Sequence, residues 1–205
     1  MLEQFRGFAA ALLRPLVRLL LRLGVSPDVV TIGGTAGVVL AALICFPQGW
    51  LWQGVVAVSV FVLADLLDGQ MAKVSGKPTS WGAFLDSTSD RLGDAAVFGG
   101  ILLYFINQRD STLWAAVALA GLVFGQWTSY VKARAESLGF TCTGGLAARA
   151  DRLVIILLGA LVAGLGVPWV LELAVAVLAV ASMITVVQRI LQVRRQAVSP
   201  GAVPS

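Results

Sequence analysis

Long apolar segments cover most of this chain and constrain its fold more than any other feature. Hydrophobic residues make up 58% of the 205 residues, and the mean hydropathy of +0.88 is typical of integral membrane proteins. Six segments approach the length that a helix needs to cross a bilayer. They lie at about residues 29–47, 50–72, 82–106, 112–135, 150–166 and 168–192. The sequence therefore predicts an all-α integral membrane protein with six transmembrane helices.

A helix of a different kind precedes the first span. Arg14, Arg18 and Arg22 form a stripe at a spacing of four, and Leu and Phe fill much of the remaining surface of residues 1–24. Such a helix lies along a membrane surface and attracts anionic lipid. We therefore expect three parts, which are a juxtamembrane amphipathic helix at 1–24, a six-helix transmembrane domain at 25–195 and a disordered tail at 196–205.

The basic residues predict how the spans are oriented. With the N-terminus assigned to the cytoplasm, fourteen of the fifteen Lys and Arg residues fall on the cytoplasmic side, and only Arg109 falls outside. An excess of Lys and Arg in cytoplasmic loops is the rule for membrane proteins. The sequence thus predicts a multi-pass protein of the cell membrane with both termini in the cytoplasm.

Four carboxylates lie at the cytoplasmic ends of the second and third apolar segments. Asp65 and Asp68 share one helical face, and Asp86 and Asp90 share another, because their spacings are three and four. A short connection at about 74–80 lets the two helices run antiparallel, so that the carboxylates can converge. Four like charges need cations to neutralise them, and all-oxygen ligands suit Mg²⁺, Mn²⁺ or Ca²⁺. The alternative, an acidic loop that only joins two helices, is disfavoured because charges at a membrane boundary are costly.

This stretch resembles the signature of the CDP-alcohol phosphatidyltransferase family, D-x-x-D-G-x-x-A-R-x8-G-x-x-x-D-x-x-x-D. Lys73 stands where the family usually has Arg, which changes the detail of one phosphate contact. The resemblance implies a Mg²⁺-dependent enzyme with two bound ions, for which Mn²⁺ is an alternative, and an active site on the cytoplasmic side. The matching residues are Asp65, Asp68, Gly69, Ala72, Gly82, Asp86 and Asp90.

The resemblance also implies a role for each group of residues. Asp65, Asp68 and Asp86 would be the main metal ligands. Asp90 would be the general base on the acceptor hydroxyl while also touching a metal. A Pro-x-x-x-Thr stretch lines the CDP pocket in the family, and a helix cap is the alternative role for its Asp28. The residues implied to bind the donor, CDP-diacylglycerol (CDP-DAG), are Asp28, Val29, Val30, Thr31, Gly69, Lys73 and Thr79.

Basic residues at the cytoplasmic ends of the later spans predict a pocket for a phosphorylated acceptor. Arg is the preferred residue for fork-like binding of phosphate. The alternative is that these charges only orient the protein, which we favour for Arg194 and Arg195. The residues assigned to the acceptor phosphate are Ser129, Lys132, Arg134, Arg149, Arg152 and Arg189.

The same basic segments narrow the resemblance to the actinobacterial phosphatidylinositol phosphate synthases, a subgroup of the family. SYVKARAE, VVQR and the pair Arg149 and Arg152 carry it, although the subgroup usually has Arg-Pro-Glu-Arg where this chain has Arg-Ala-Asp-Arg. The resemblance implies that a homodimer in the membrane lipid transfers the phosphatidyl group of CDP-DAG to inositol phosphate and releases CMP. No nucleic-acid partner is expected.

Two other functions stay open at this point. A phosphatidylglycerophosphate synthase would use the same donor with glycerol phosphate, and both acceptors are phosphate monoesters. A magnesium channel or transporter would use the aspartates as an ion site. No matching polar ring occurs at mid-membrane in the sequence, which disfavours transport.

Overall fold

The chain folds into a succession of long helices. The computed structural model describes residues 15–74, 79–145 and 149–198, and within these ranges it contains no strand. The predicted all-α class is therefore confirmed. The six long helices are α1 Pro27–Cys45, α2 Leu51–Val74, α3 Ser80–Asn107, α4 Thr112–Ser137, α5 Arg149–Gly164 and α6 Trp169–Val198.

The helices coincide with the apolar segments of the sequence, since each begins within two residues of a predicted start. Among the described residues, three helical segments are long and apolar enough to cross a membrane. The arrangement of six spans goes further than this finding and stays a prediction. The three candidate spans are Pro27–Gln48, Leu51–Ala72 and Trp169–Val198.

Local signals explain where the first helices end and begin. A helical stretch at 15–22 is followed by Gly24, whose φ of +75° suits a residue without a side chain. The Ser26 hydroxyl then accepts a hydrogen bond of 3.3 Å from the Val29 N–H, and Pro27 occupies the first turn of α1. Residues 1–14 of the predicted surface helix lie outside the described part of the chain.

The helices form two compact units. The first contains Met1–Ile44 and Val56–Val97, and the second contains Cys45–Val55 and Phe98–Ser205. In the first unit, α1 approaches α2 so closely at Gly37 that a side chain there would overlap the Phe61 ring.

The second unit is built on α6, against which both α4 and α5 pack. A β-carbon on Gly159 of α5 would lie only 2.6 Å from the Ala174 Cβ of α6, so the small residue permits this contact. The connection between α3 and α4 is tied to the same helix, because Arg109 Nη2 lies 2.9 Å from Oε1 of the buried Glu172. These contacts give the unit a packed interior with a paired charge at one end.

The structure corrects one predicted boundary. The tail was expected to begin at residue 196, but α6 continues through Val198. The Gln196 side chain explains the extension, because its Nε2 donates to the Thr141 carbonyl at 2.6 Å and its Oε1 accepts from the Thr141 N–H at 3.0 Å. Residues 199–205 lie outside the described part of the chain.

Close packing at Gly164 generates a stability prediction. A β-carbon there would lie 2.7 Å from the backbone nitrogen of Trp52, which cannot move away cheaply. We expect Gly164→Ala to destabilise the folded state by about 1–3 kcal/mol, as overpacking generally does. The measurement is thermal unfolding of the purified protein in detergent.

Gly33 supplies the matched control, because no atom lies within 4 Å of a β-carbon placed there. Gly33→Ala should be neutral or stabilising, since Ala favours a helix over Gly by about 1 kcal/mol. Equal losses of unfolding temperature in the two variants would contradict the packing argument.

Candidate active site

A buried carboxylate joins α1 to α2 in the first unit. Asp68 is only 6% exposed, and its Oδ2 accepts a short hydrogen bond from the Thr31 hydroxyl. The same hydroxyl lies 3.1 Å from the Pro27 carbonyl, one turn earlier on α1. A buried carboxylate needs such partners because it has lost its water shell. The structure thus brings together two predicted site residues from separate motifs.

A second contact links the beginning of α1 to α3. The Trp81 indole Nε1 donates a hydrogen bond of 3.1 Å to Asp28 Oδ2, and the Trp81 ring stacks on Phe84 with centroids 5.8 Å apart. Because Ser26 caps α1, the alternative role of Asp28 as the cap is not needed. Trp81 was not predicted, and the only signal for it was its place beside Gly82 of the motif.

The carboxylates of α3 lie at successive turns of one face. Asp86 is exposed, whereas the Asp90 side chain is largely buried and lies 3.7 Å from Arg91 Nη2. Asp94, which was not predicted, continues the spacing of four and is buried as well. The face therefore runs from an accessible carboxylate to an inaccessible one.

The acidic residues fit a hard divalent cation by their chemistry. Asp68, Asp86 and Asp90 supply carboxylate oxygens from two helices of one unit, and burial of Asp68 favours a neighbouring positive charge. The Asp65 side chain lies outside the described part. Among the side chains that are described, no three of the Asp, Glu, Cys and His residues are grouped closely enough to hold a metal ion.

The remaining donor residues surround the beginning of α3 and the middle of α2. The Thr79 hydroxyl caps α3 by accepting a hydrogen bond of 3.0 Å from the Gly82 N–H, and its own proton is left for another acceptor. No atom lies within 4 Å of a β-carbon placed on Gly69, so its backbone is accessible. Val29 is exposed and Val30 is half-buried. The Lys73 side chain lies outside the described part.

Two of the predicted acceptor residues meet in the second unit. Arg152 of α5 is only 3% exposed, and its Nη1 donates to the Thr128 hydroxyl at 2.7 Å. Arg189 of α6 donates from Nη1 to the Thr128 carbonyl. Its Nη2 and Nε donate to the Gly144 carbonyl at 3.0 and 3.2 Å. Thr128 and Gly144 were not predicted, since a Thr in an apolar helix and a loop carbonyl carry no local signature.

The described side chains of the other predicted acceptor residues do not join this pair. Lys132 lies 3.7 Å from Glu136 on the same helix, and its side chain is 49% exposed. Arg134 Nη1 donates to the Ser137 hydroxyl at 3.4 Å, and Ser129 is half-buried. The Arg149 side chain lies outside the described part.

Comparison with known proteins identifies the protein family to which the chain belongs. The profile of the CDP-alcohol phosphatidyltransferase family matches residues 24–187, so the chain belongs to that family and is a transferase. The resemblance drawn from the aspartate motif is therefore confirmed.

Individual relatives show which members of this family the chain is similar to. The chain is 51% identical over 203 residues to a phosphatidylinositol phosphate synthase of Cutibacterium acnes. This alignment covers 95% of this chain and 98% of the relative. A crystal structure of the Mycobacterium tuberculosis phosphatidylinositol phosphate synthase with CDP-DAG bound aligns with a TM-score of 0.86 and 44% identity, covering 93% of this chain and 96% of that one. A structure of the same enzyme with manganese and citrate aligns with a TM-score of 0.84 and 44% identity, over 93% and 91% of the chains.

The acidic residues generate a prediction about metal binding. Adding MgCl₂ should raise the unfolding temperature of the wild type in detergent, because a ligand that binds only the folded state stabilises it by about 2.7 kcal/mol at a hundredfold excess over Kd. Asp86→Asn should abolish most of this shift, since it removes one carboxylate oxygen from the ligand set.

Asp110→Asn is the control, because it makes the same chemical change in the connection between α3 and α4. Its φ of +46° is one that Asn tolerates well. This variant should keep the wild-type shift. A shift of wild-type size in Asp86→Asn would exclude Asp86 as a ligand.

Proposed function

We propose that this chain is an enzyme that transfers the phosphatidyl group of CDP-DAG to inositol phosphate and releases CMP. The likeness to phosphatidylinositol phosphate synthases carries this inference, because it extends over nearly the whole chain and includes both units. The aspartate motif and the pair of arginines on Thr128 support the donor and the acceptor assignments separately.

The first unit is proposed to bind the donor. Thr31 and Asp68 hold each other through a buried hydrogen bond, and Asp28 is held by Trp81. These contacts fix the polar groups at the beginning of α1 before a nucleotide arrives, which lowers the entropic cost of binding. The remaining residues proposed for the donor are Val29, Val30, Gly69, Lys73 and Thr79.

The carboxylates Asp65, Asp68, Asp86 and Asp90 are proposed to hold two Mg²⁺ ions, and the manganese complex of the M. tuberculosis relative supports a divalent metal. When bound, such ions polarise the diphosphate and stabilise the charge of the leaving phosphate. Asp90 is proposed to accept the proton of the inositol hydroxyl as that hydroxyl attacks the phosphorus on the diacylglycerol side. Its carboxylate is held beside Arg91.

The second unit is proposed to bind the acceptor phosphate. Arg152 and Arg189 come from different helices and converge on one residue, and the guanidinium fork matches a phosphate monoester. Ser129, Lys132, Arg134 and Arg149 are proposed to complete this set.

The placement in the membrane is also part of the proposal. All six helices would cross the bilayer as one catalytic domain at 25–195, with the amphipathic helix at 1–24 on its surface. The active site and both termini would be cytoplasmic, because fourteen of the fifteen Lys and Arg residues then lie on that side. A homodimer in the lipid is proposed from the family resemblance.

Swapping the acceptor tests this function. Purified protein with CDP-DAG and Mg²⁺ should release CMP when inositol phosphate is added, and far more slowly with glycerol phosphate. Preference for glycerol phosphate would instead identify a phosphatidylglycerophosphate synthase. Release of no CMP with either acceptor, together with Mg²⁺ flux into vesicles, would favour the transport alternative.

The arginine pair generates a kinetic prediction. Orientation in a membrane needs only positive charge, so Lys would serve as well as Arg, whereas phosphate recognition needs the guanidinium fork. We expect Arg152→Lys and Arg189→Lys each to raise the KM for inositol phosphate by about tenfold or more, the effect of a lost charged hydrogen bond.

Arg194→Lys is the matched control, because Arg194 is exposed on the same helix as Arg189 and is assigned to orientation. It should keep wild-type kinetics, and none of the three variants should change the KM for CDP-DAG. Wild-type acceptor kinetics in the Arg152 and Arg189 variants would show that these arginines only orient the protein in the membrane.

A further inference from the structure

Thr128 occupies a special position among the acceptor residues. It lies on α4 and is 1% exposed, and both of its oxygen atoms accept hydrogen bonds from guanidinium groups. The hydroxyl accepts from Arg152 of α5, and the carbonyl accepts from Arg189 of α6. One residue therefore contacts both arginines that are proposed to bind the acceptor phosphate.

The hydroxyl of Thr128 is itself held in one orientation. It donates its single proton to the Gly125 carbonyl at 2.7 Å, which directs its lone pairs towards Arg152. The β-branched side chain limits rotation about χ1 as well. Gly125 lies one turn earlier, and a β-carbon there would be 3.5 Å from the Arg152 Cζ. The guanidinium of Arg152 thus lies along the surface of α4, between Gly125 and Thr128.

Arg189 is fixed from two sides. Besides the Thr128 carbonyl it contacts the Gly144 carbonyl, in the connection between α4 and α5. Gly144 and Gly145 have φ angles of +85° and +125°, and a side chain on Gly145 would overlap Thr185 of α6. In the described part of the chain Arg189 makes no ion pair, so its charge is not offset by a carboxylate there.

We propose that Thr128 is the positioning residue of the acceptor site, and that its hydroxyl sets the orientation of the Arg152 fork while its carbonyl sets that of Arg189. This inference rests on the proposed function, because it assumes that the two arginines bind the phosphate of the acceptor. Two guanidinium groups held on one rigid residue keep a fixed separation, which is what a phosphate needs for simultaneous contacts. Thr128 itself does not touch the substrate.

Substitutions at Thr128 test this role. Thr128→Val keeps the shape and removes the hydroxyl, and we expect it to raise the KM for inositol phosphate by about tenfold, as for a lost hydrogen bond to a charged group. The KM for CDP-DAG should stay at the wild-type value. Thr128→Ser restores the hydroxyl and should recover most of the acceptor affinity. Thr112→Val, the same chemical change at the exposed first residue of α4, is the control and should behave as wild type.

Double variants separate positioning from general stability. In an Arg152→Lys background, Thr128→Val should add little to the acceptor KM, because the fork that the hydroxyl orients is already absent. In an Arg189→Lys background it should add its full factor, since the hydroxyl contact to Arg152 is still present there. Equal multiplication in both backgrounds would overturn the proposal.

Other results also decide the question. Unchanged acceptor KM in Thr128→Val, or equal rises in the KM values of both substrates, would contradict the role. If Thr128→Val is not recovered folded, Thr128→Ala replaces it. Loss of folded protein in both, with Thr128→Ser intact, would assign the hydroxyl to stability instead. Failure of the proposed function is distinguishable, because the wild type would then release no CMP with inositol phosphate.

Discussion

The hydrogen bond from the Thr31 hydroxyl to the buried Asp68 carboxylate is the contact on which the first unit depends. Burying a carboxylate is costly unless hydrogen bonds and cations replace its water shell. The bond joins the beginning of α1, where the donor nucleotide is proposed to bind, to α2, which carries two of the proposed metal ligands. A donor whose diphosphate contacts the proposed metal ions needs α1 and α2 to keep a fixed position relative to each other.

In the second unit the buried charged group at the proposed site is a cation, Arg152, whereas in the first unit it is the Asp68 carboxylate. Arg152 is buried, and its Nη1 donates to the neutral Thr128 hydroxyl. Arg189 likewise bonds to two backbone carbonyls. Carbonyl partners fix the Arg189 guanidinium without cancelling its charge, so this charge remains available to an anion. The carboxylates of one unit are proposed to serve the donor, and the guanidinium groups of the other are proposed to serve the acceptor.

The sequence predicted the helices well because the signals for them are local. Apolar length gave their positions, and Ser26, Pro27 and Gly24 gave the first boundaries. Two separate motifs predicted Thr31 and Asp68 as site residues, but the contact between them spans 37 positions and has no local signature. The same holds for Trp81 and Asp28, which are 53 positions apart. Thr128 was missed because only its tertiary contacts distinguish it from a packing residue, and the extension of α6 was missed because it depends on Thr141.

The dependence of CMP release on Mg²⁺ concentration in Thr31 variants tests the central claim most directly. A hydrogen bond to a metal-ligating carboxylate orients it, and losing such a bond generally costs about 10–100-fold in metal affinity or activity. Thr31→Val should therefore need about tenfold more Mg²⁺ for half-maximal CMP release, or lose a comparable share of its activity at saturating Mg²⁺. Thr31→Ser, which keeps the hydroxyl, should resemble the wild type. A wild-type Mg²⁺ dependence and rate in Thr31→Val would show that the Asp68 carboxylate does not depend on this bond.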